Sequence, residues 1–350
     1  MRSLLQFTVA FGASCIAGLA SAELPKNMTW TAYGTTASGY AQSVAIGNAI
    51  QEEFGTRTRV IPGKNDVSRM APLRDGKADY CACGAAAYFG QEGTFLFASK
   101  DWGPQPLRVV MTAIGANNLG LATAKDAGIE TMADLKGKRV SFVRGGDALN
   151  WNAAANMAFA GLTWDDVEKV EVSGFKASVD AIINGQSDAA FMNTVTPHAK
   201  RLAASPRGIH WPALPHDDSE GWKRLSAVQP IALPHVATKG ADISAESPHV
   251  GYVYPYPILV TNAERSADEV YALTAAIVST FDKYKEAAPG AAGWAIENQT
   301  LVWGMPYHEG SVRLFKEKGL WTDEAEANNQ MLIKRQQIIQ DAWKSMGDVS

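Results

Sequence analysis

The chain has 350 residues, a formal net charge of −4, 46% hydrophobic residues and 19% charged residues. Those fractions describe an ordinary globular protein rather than a disordered one. The slight acidity offers no basic face for nucleic acid, and the length exceeds one compact core, which points to two lobes.

Met1-Arg2-Ser3 is a short cationic start, followed by the apolar run Leu4 to Leu19, broken by Gln6, Thr8 and Ser14, and then by Ala20-Ser21-Ala22. That pattern reads as a cleavable export signal over residues 1–22, with a mature periplasmic chain from Glu23 onward. The run is shorter than the roughly 20 apolar residues that span a bilayer. Gly12-Ala13-Ser14-Cys15 lacks the large aliphatic residue of a lipoprotein site.

Strand-like and helix-like segments then alternate. Thr29 to Tyr33 reads as a strand running into the loop Gly34-Thr35-Thr36-Ala37-Ser38-Gly39 and a helix from Tyr40 to Phe54. Arg57 to Ile61 is a second strand, Asp66 to Asp75 a helix, and Ala78 to Gly84 a third, buried strand. Cys81 and Cys83 share one face of that strand. A bridge across one residue is strained, and no nearby ligand completes a metal site, so they read as two small core residues.

After the apolar strand Leu107 to Ile114 the same grammar recurs. Val140 to Val143 is a strand, Arg144 to Asn150 a loop, and a helix runs on to Gly161. Glu168 to Val172 is a strand, Ser178 to Asn184 a helix, and Ala189 to Met192 a strand ending in Asn193-Thr194. Pro197 to Pro248 reads as loops and short strands, and the Pro-containing stretch Val250 to Thr261 as a return crossing. Helices follow over Ala267 to Tyr284, Gly310 to Lys318 and Asp323 to Met346. This alternation predicts an α/β protein of two lobes, each a mostly parallel sheet flanked by helices. Residues 23–113 open lobe 1, residues 114–250 form lobe 2, and residues 251–350 carry the crossing strand, the rest of lobe 1 and the C-terminal helices.

In open α/β sheets ligands gather at the carboxyl ends of strands. The candidates in lobe 1 are Tyr33, Thr35, Thr36, Ser38 and Gly39, whose N–H groups and hydroxyls suit a carboxylate at a helix start. Gly84 admits either a ligand or tight helix packing. Lobe 2 offers Arg144 as a bidentate carboxylate partner, Asp147 and Asn150 as caps or contacts, and Asn193 and Thr194. Tyr40 or Trp151 would cover an apolar part of the solute, and His198 reads as structural. No nucleophile elbow, phosphate loop or paired-histidine zinc motif is present, so the reading is a non-enzyme without cofactor or metal.

Several stretches carry a family likeness. They are Gly34 to Tyr40, Leu73-Arg74-Asp75-Gly76-Lys77-Ala78-Asp79, Asp134 to Val140, Gly185 to Phe191, and Pro306-Tyr307-His308-Glu309-Gly310 with Phe315-Lys316-Glu317-Lys318-Gly319. Together they make the chain resemble the TAXI-type solute receptors of tripartite ATP-independent periplasmic (TRAP) transporters. The resemblance implies a periplasmic-binding-protein type 2 fold closing on a small solute. It also implies integral membrane transporter subunits as partners and a carboxylate or dicarboxylate ligand, such as one like glutamate. Two loops depart from the family pattern: Thr36-Ala37-Ser38 has fewer glycines, and Gly146-Asp147-Ala148-Leu149 replaces a Gly-Ser-Gly-Thr-like run. An ABC-type binding protein of the same fold, and an exported enzyme using the cleft, are the alternatives.

Overall fold

The computed structural model describes residues 23–347, and the export signal expected over residues 1–22 lies outside them. The chain opens with β1 (Asn27–Ala32), α1 (Ser38–Phe54), β2 (Arg57–Pro62), α2 (Asp66–Arg74), β3 (Tyr80–Cys83), α3 (Ala85–Glu92) and β4 (Leu107–Thr112). Local chemistry sets these limits. α1 stops at Gly55, whose φ of 71° is the left-handed C-cap that glycine adopts without penalty. α2 starts from a capping box in which Asn65 and Ser68 satisfy each other's backbone N–H groups.

The second lobe comprises β5 (Leu119–Thr123), β6 (Arg139–Val143), α4 (Asp147–Phe159), β7 (Glu168–Val172), α5 (Phe175–Ile183), β8 (Ala189–Asn193), α6 (Pro197–Ala203), α7 (Ser219–Val228), β9 (Leu233–Ala237) and β10 (His249–Val253). The chain then returns through β11 (Ile258–Asn262), α8 (Ala267–Ser279), α9 (Phe281–Tyr284), α10 (Glu309–Glu317) and α11 (Asp323–Gly347). Helices α6 and α7 correct the reading of Pro197 to Pro248 as loops and short strands. Pro197 sits at the start of α6, where a missing N–H costs nothing, and Asp218 caps α7 through Gly221 N–H.

Two sheets result, ordered β2-β1-β3-β11-β4 and β7-β6-β8-β5-β10-β9. Each is built alike. Its first strand is flanked by its second and third in parallel, and the strand arriving from the other lobe adds beside the third, antiparallel. In the first sheet only β11 runs against the other four strands, and in the second β5 and β9 run against β7, β6, β8 and β10, so both sheets are mixed with most strands in one direction. The crossings are residues 113–118 and Tyr254–Pro257. They are tied together where Ala113 N–H donates to Pro257 O (3.0 Å) and Tyr256 N–H donates to Ala113 O (2.7 Å).

Sheet burial follows the strand period of two. Along β8, Ala189 and Phe191 join the larger core while Ala190 and Met192 join a second core with Val179, Leu202 and Trp211. β3 is buried at every position, as a strand covered on both faces must be. Its Cys81 and Cys83 are joined as a disulfide, which corrects their reading as unbridged core residues. Both side chains leave the same face of the strand, and their Cα atoms lie 5.5 Å apart, within bridging reach. Met70 Sδ packs 3.2 Å from Cys83 Sγ.

Candidate functional site

A cavity of about 440 Å³ lies between the lobes, at the carboxyl ends of both sheets. Residues from both lobes and from the second crossing line it. Another cavity, of about 650 Å³, lies on lobe 1 beside His308, Arg313 and Lys316. Its charges satisfy one another: Arg313 pairs with Asp268 (2.9 Å) and Lys316 with Glu326 (2.9 Å). His308 accepts from Gly310 N–H and faces Arg265 O. The interlobe cavity is different, because several of its buried polar atoms have no well-aligned partner.

On lobe 1 the wall is built around Tyr33. The Arg69 guanidinium lies 4.2 Å from the centre of its ring, a cation–π contact, and the Tyr256 ring centre lies 5.2 Å away. Two glycines make room for the ring. A Cβ at Gly39 would come within 2.5 Å of Tyr33 Cδ2, and one at Gly84 within 2.7 Å of its hydroxyl oxygen. Arg69 Nε is buried with no hydrogen-bond partner among the described residues, and the Tyr33 hydroxyl and Ser38 Oγ are buried with no well-aligned one, the Tyr256 hydroxyl lying beside both. Burial pushes the Tyr33 hydroxyl well above its ordinary pKa, with Tyr256 adding to the rise and Arg69 opposing it. Arg69 is held by Asp66 at 2.6 Å, and both residues are buried.

The lobe 2 wall is more apolar, with Leu119, Leu149, Phe175, Phe191 and Met192 facing the cavity. Its polar atoms are mostly engaged. Asn152 bonds Ala148 O and the Tyr254 hydroxyl, and Lys176 pairs with Asp180, which also pairs with Arg201. Thr196 Oγ1 is the exception, buried without a partner among the described residues. Four helices of eight residues or more begin at the cleft with no side-chain cap of their own: α1 after Ala37, α3 after Gly84, α4 after Gly146 and α5 after Gly174. Their dipoles, and the first-turn N–H groups of α1, α3 and α5, aim positive potential into the cavity.

Three side-chain hydrogen bonds join the lobes across the cleft among the described residues. Asp66 Oδ2 accepts from Ala148 N–H of α4 at 2.8 Å, and Asp147 Oδ2 accepts from Leu96 N–H of lobe 1 at 3.0 Å. On the opposite rim His198 Nε2 and Thr36 Oγ1 are 2.8 Å apart. Arg201 donates to His198 Nδ1 (2.9 Å), so the imidazole proton resides on Nε2 and is donated to Thr36. Burial lowers the His198 pKa, and Arg201 lowers it further.

Of the residues singled out in the sequence, Tyr33, Thr36, Ser38, Gly84 and Asn193 line the cavity. Thr35, Gly39 and Tyr40 do not, although Gly39 seats the Tyr33 ring. Arg144 is exposed and stands outside the cavity, its N–H donating to Val172 O. Asn150 closes its own loop through Val143 N–H and Val143 O, each at 2.8 Å. Thr194 bonds Lys239 O and accepts from Asn118 N–H. Trp151 packs against Phe89, with ring centres 4.6 Å apart. Asp147 serves the lobe contact, and its pKa is raised by burial, against the pull of Leu96 N–H. Sequence reading passed over Arg69, Asp66, Phe175, Phe191, Thr196 and Tyr256. For the first two a signal existed: Asp66, Arg69, Met70 and Leu73 follow the i, i+3, i+4, i+7 spacing of one helix face, which put a charged pair on the apolar side of α2.

Among the described residues no group of three or more His, Cys, Asp or Glu could hold a metal ion, and no helix is long and apolar enough to cross a membrane. Two α/β lobes of matching strand order, joined by two crossings and enclosing a cleft, define the two-lobed periplasmic-binding-protein fold. The chain belongs to the NMT1-like family, whose model matches residues 31–319. Solved structures similar to it include a protein of Bordetella bronchiseptica RB50, at 18% identity over 86% of this chain and 91% of that one, with a TM-score of 0.49. The alkanesulfonate-binding protein of Xanthomonas axonopodis pv. citri, bound to MOPS, is 13% identical over 86% and 96% of the two chains, with a TM-score of 0.46. An amino acid ABC transporter substrate-binding protein of Streptococcus pneumoniae, bound to L-arginine, is 12% identical over 89% and 96%, with a TM-score of 0.42.

Proposed function

We propose that the protein is an extracytoplasmic solute receptor that takes a small organic anion, a carboxylate, between its lobes and delivers it to the membrane subunits of a TRAP transporter. The observation that carries the ligand class is the unpartnered Nε of buried Arg69, in a cleft on which the starts of α1, α3 and α5 converge without side-chain caps. A carboxylate would satisfy Arg69 Nε, the Tyr33 hydroxyl and Ser38 Oγ together, through charge-assisted hydrogen bonds. The charge role first sought at Arg144 passes to Arg69 in this proposal. Thr36 and Asn193 shape the cleft, and solute bound against both walls favours the closed state over the open one.

Delivery to TRAP subunits and export by the N-terminal leader rest on the sequence likeness and on the pattern of residues 1–22. Native mass spectrometry of the purified protein, followed by calorimetry with the released solute, tests the ligand class. The expected solute carries a carboxylate, and a neutral or cationic one overturns the proposal. For the partner, uptake in proteoliposomes is expected to follow an ion gradient; dependence on ATP instead overturns the TRAP assignment. N-terminal sequencing of the periplasmic form is expected to begin at Glu23.

A further inference from the structure

The starts of two helical segments lack caps of their own and receive them from the opposite lobe. α4 follows Gly146, which has no side chain to offer, and Asp66 of lobe 1 accepts its Ala148 N–H. The short helical turn Phe95–Ala98 of lobe 1 follows Thr94, whose side chain makes no cap bond, and Asp147 of lobe 2 accepts its Leu96 N–H. The exchange is reciprocal, since each lobe supplies one carboxylate and receives one.

Aromatic packing frames the exchanged caps. Trp151 of α4 sits 4.6 Å from Phe89 and 6.4 Å from Phe95 of lobe 1, centre to centre, and stacks on Tyr88 at 6.5 Å. Phe95 itself has φ of 54°, a left-handed conformation that a bulky residue holds only where its surroundings impose it. Here the surroundings come from both lobes.

We infer that Asp66 and Asp147 form a clasp that holds the lobes closed, and that Asp66 is the positioning residue coupling this clasp to the solute site. One oxygen of Asp66 holds the Arg69 guanidinium and the other holds α4. Opening the lobes strips the second contact and frees the carboxylate to pull Arg69 away from its place over the Tyr33 ring in the cavity wall. The clasp stands on geometry alone, whereas the coupling rests on the cleft being the solute site.

The test has two arms. Small-angle scattering of the full chain without added solute reads closure. The unmodified protein is expected to be compact, and Asp147→Ala, which removes the acceptor for Leu96 N–H and leaves the Asp66–Arg69 pair intact, to have a larger radius of gyration. Asp66→Ala is expected to do the same, and Asp147→Ala keeps the test valid if that variant folds poorly. A radius unchanged in both variants, or an open unmodified protein, overturns the clasp. Stopped-flow measurement with the solute identified by mass spectrometry reads the coupling. Asp66→Ala is expected to raise the dissociation rate about tenfold with the association rate little changed, as the loss of a cap would. An unchanged dissociation rate overturns the coupling. Opening in the scattering arm, with an organic anion failing to bind the unmodified protein, would leave the clasp standing and remove the solute reading.

Discussion

The two walls of the cleft are made of different material. Lobe 1 contributes the buried cation Arg69 and three polar atoms without a well-aligned partner, on Tyr33, Ser38 and Arg69, together with the uncapped starts of α1 and α3. Lobe 2 contributes Leu119, Leu149, Phe175, Phe191 and Met192, and one unpartnered hydroxyl on Thr196. Unsatisfied polar atoms cost free energy until a ligand meets them, whereas apolar surface gains whenever water leaves it. A solute that docks its charge on lobe 1 therefore presents its remaining surface to lobe 2, and burying that surface adds a hydrophobic contribution to the closed state. Lobe 1 would set which charge is accepted, and lobe 2 which body is tolerated.

The largest test of this division is Arg69→Met. Affinity should fall about hundredfold in calorimetry, because charge-assisted bonds to the solute are lost. Stability should fall as well, by about 3–5 kcal/mol in chemical denaturation, because Asp66 is left buried without its counter-ion. The double variant Asp66→Asn/Arg69→Met separates the two effects. It should recover most of the stability and none of the affinity. Recovery of affinity in the double variant would place the anion somewhere other than lobe 1.

Tyr33→Phe should act more gently and with opposite signs. Removing a hydroxyl that lacks a well-aligned partner in the empty cleft should leave stability unchanged or raise it by up to about 1 kcal/mol. The same change should weaken binding about tenfold, since the solute loses that partner. Loss of stability in thermal denaturation would mean that the hydroxyl is satisfied before solute arrives.

The rim contact of His198 with Thr36 sharpens the comparison through pH. His198 is held neutral in the closed protein. Burial lowers its pKa, Arg201 and Lys176 lower it further, and Asp180 opposes them. A group with a lowered folded pKa contributes its stability above its free value near 6.5 and loses it as the pH falls through the folded value. Affinity should accordingly decline a few-fold per unit as the pH drops below about 6.5, and His198→Gln should flatten that part of the profile. An identical profile in the variant would assign the acid sensitivity to other groups. His308 of lobe 1, pushed down to about 4 by burial, titrates on the same side but far from the cleft, so it should affect unfolding and not binding.

Much of the architecture was legible because strands and helices announce themselves locally. The doubled strand–loop–helix grammar carried through to two sheets whose first four strands match in order. Helix α6 escaped because proline at a helix start looks like proline in a loop. The site was half legible for a related reason. Loops at strand ends can be found from sequence, so Tyr33, Thr36, Ser38, Gly84 and Asn193 could be named. Whether a loop side chain turns inward is settled by distant partners. Thr194 is claimed by Lys239 and Asn118, and Asn150 by Val143, which local pattern does not reveal. Arg69 shares its helix face with Asp66, Met70 and Leu73, where burial of a charge depends on the Asp66 carboxylate and the Tyr33 ring meeting it.

Arg144 gives the smallest effect and the cleanest contrast with Arg69. Both are arginines near the amino ends of helices flanking the cleft, and sequence favoured the former for its place in a glycine loop after a strand. The fold puts Arg144 in solvent, beyond the loop that Asn150 pins to Val143, while Arg69 is enclosed against Tyr33. An exposed cation at that distance is screened by water and salt. Arg144→Ala should therefore alter affinity less than about twofold and stability within about 0.5 kcal/mol. A loss comparable to that of Arg69→Met would mean that the loop swings inward when solute binds, and that lobe 2 too carries charge to the anion.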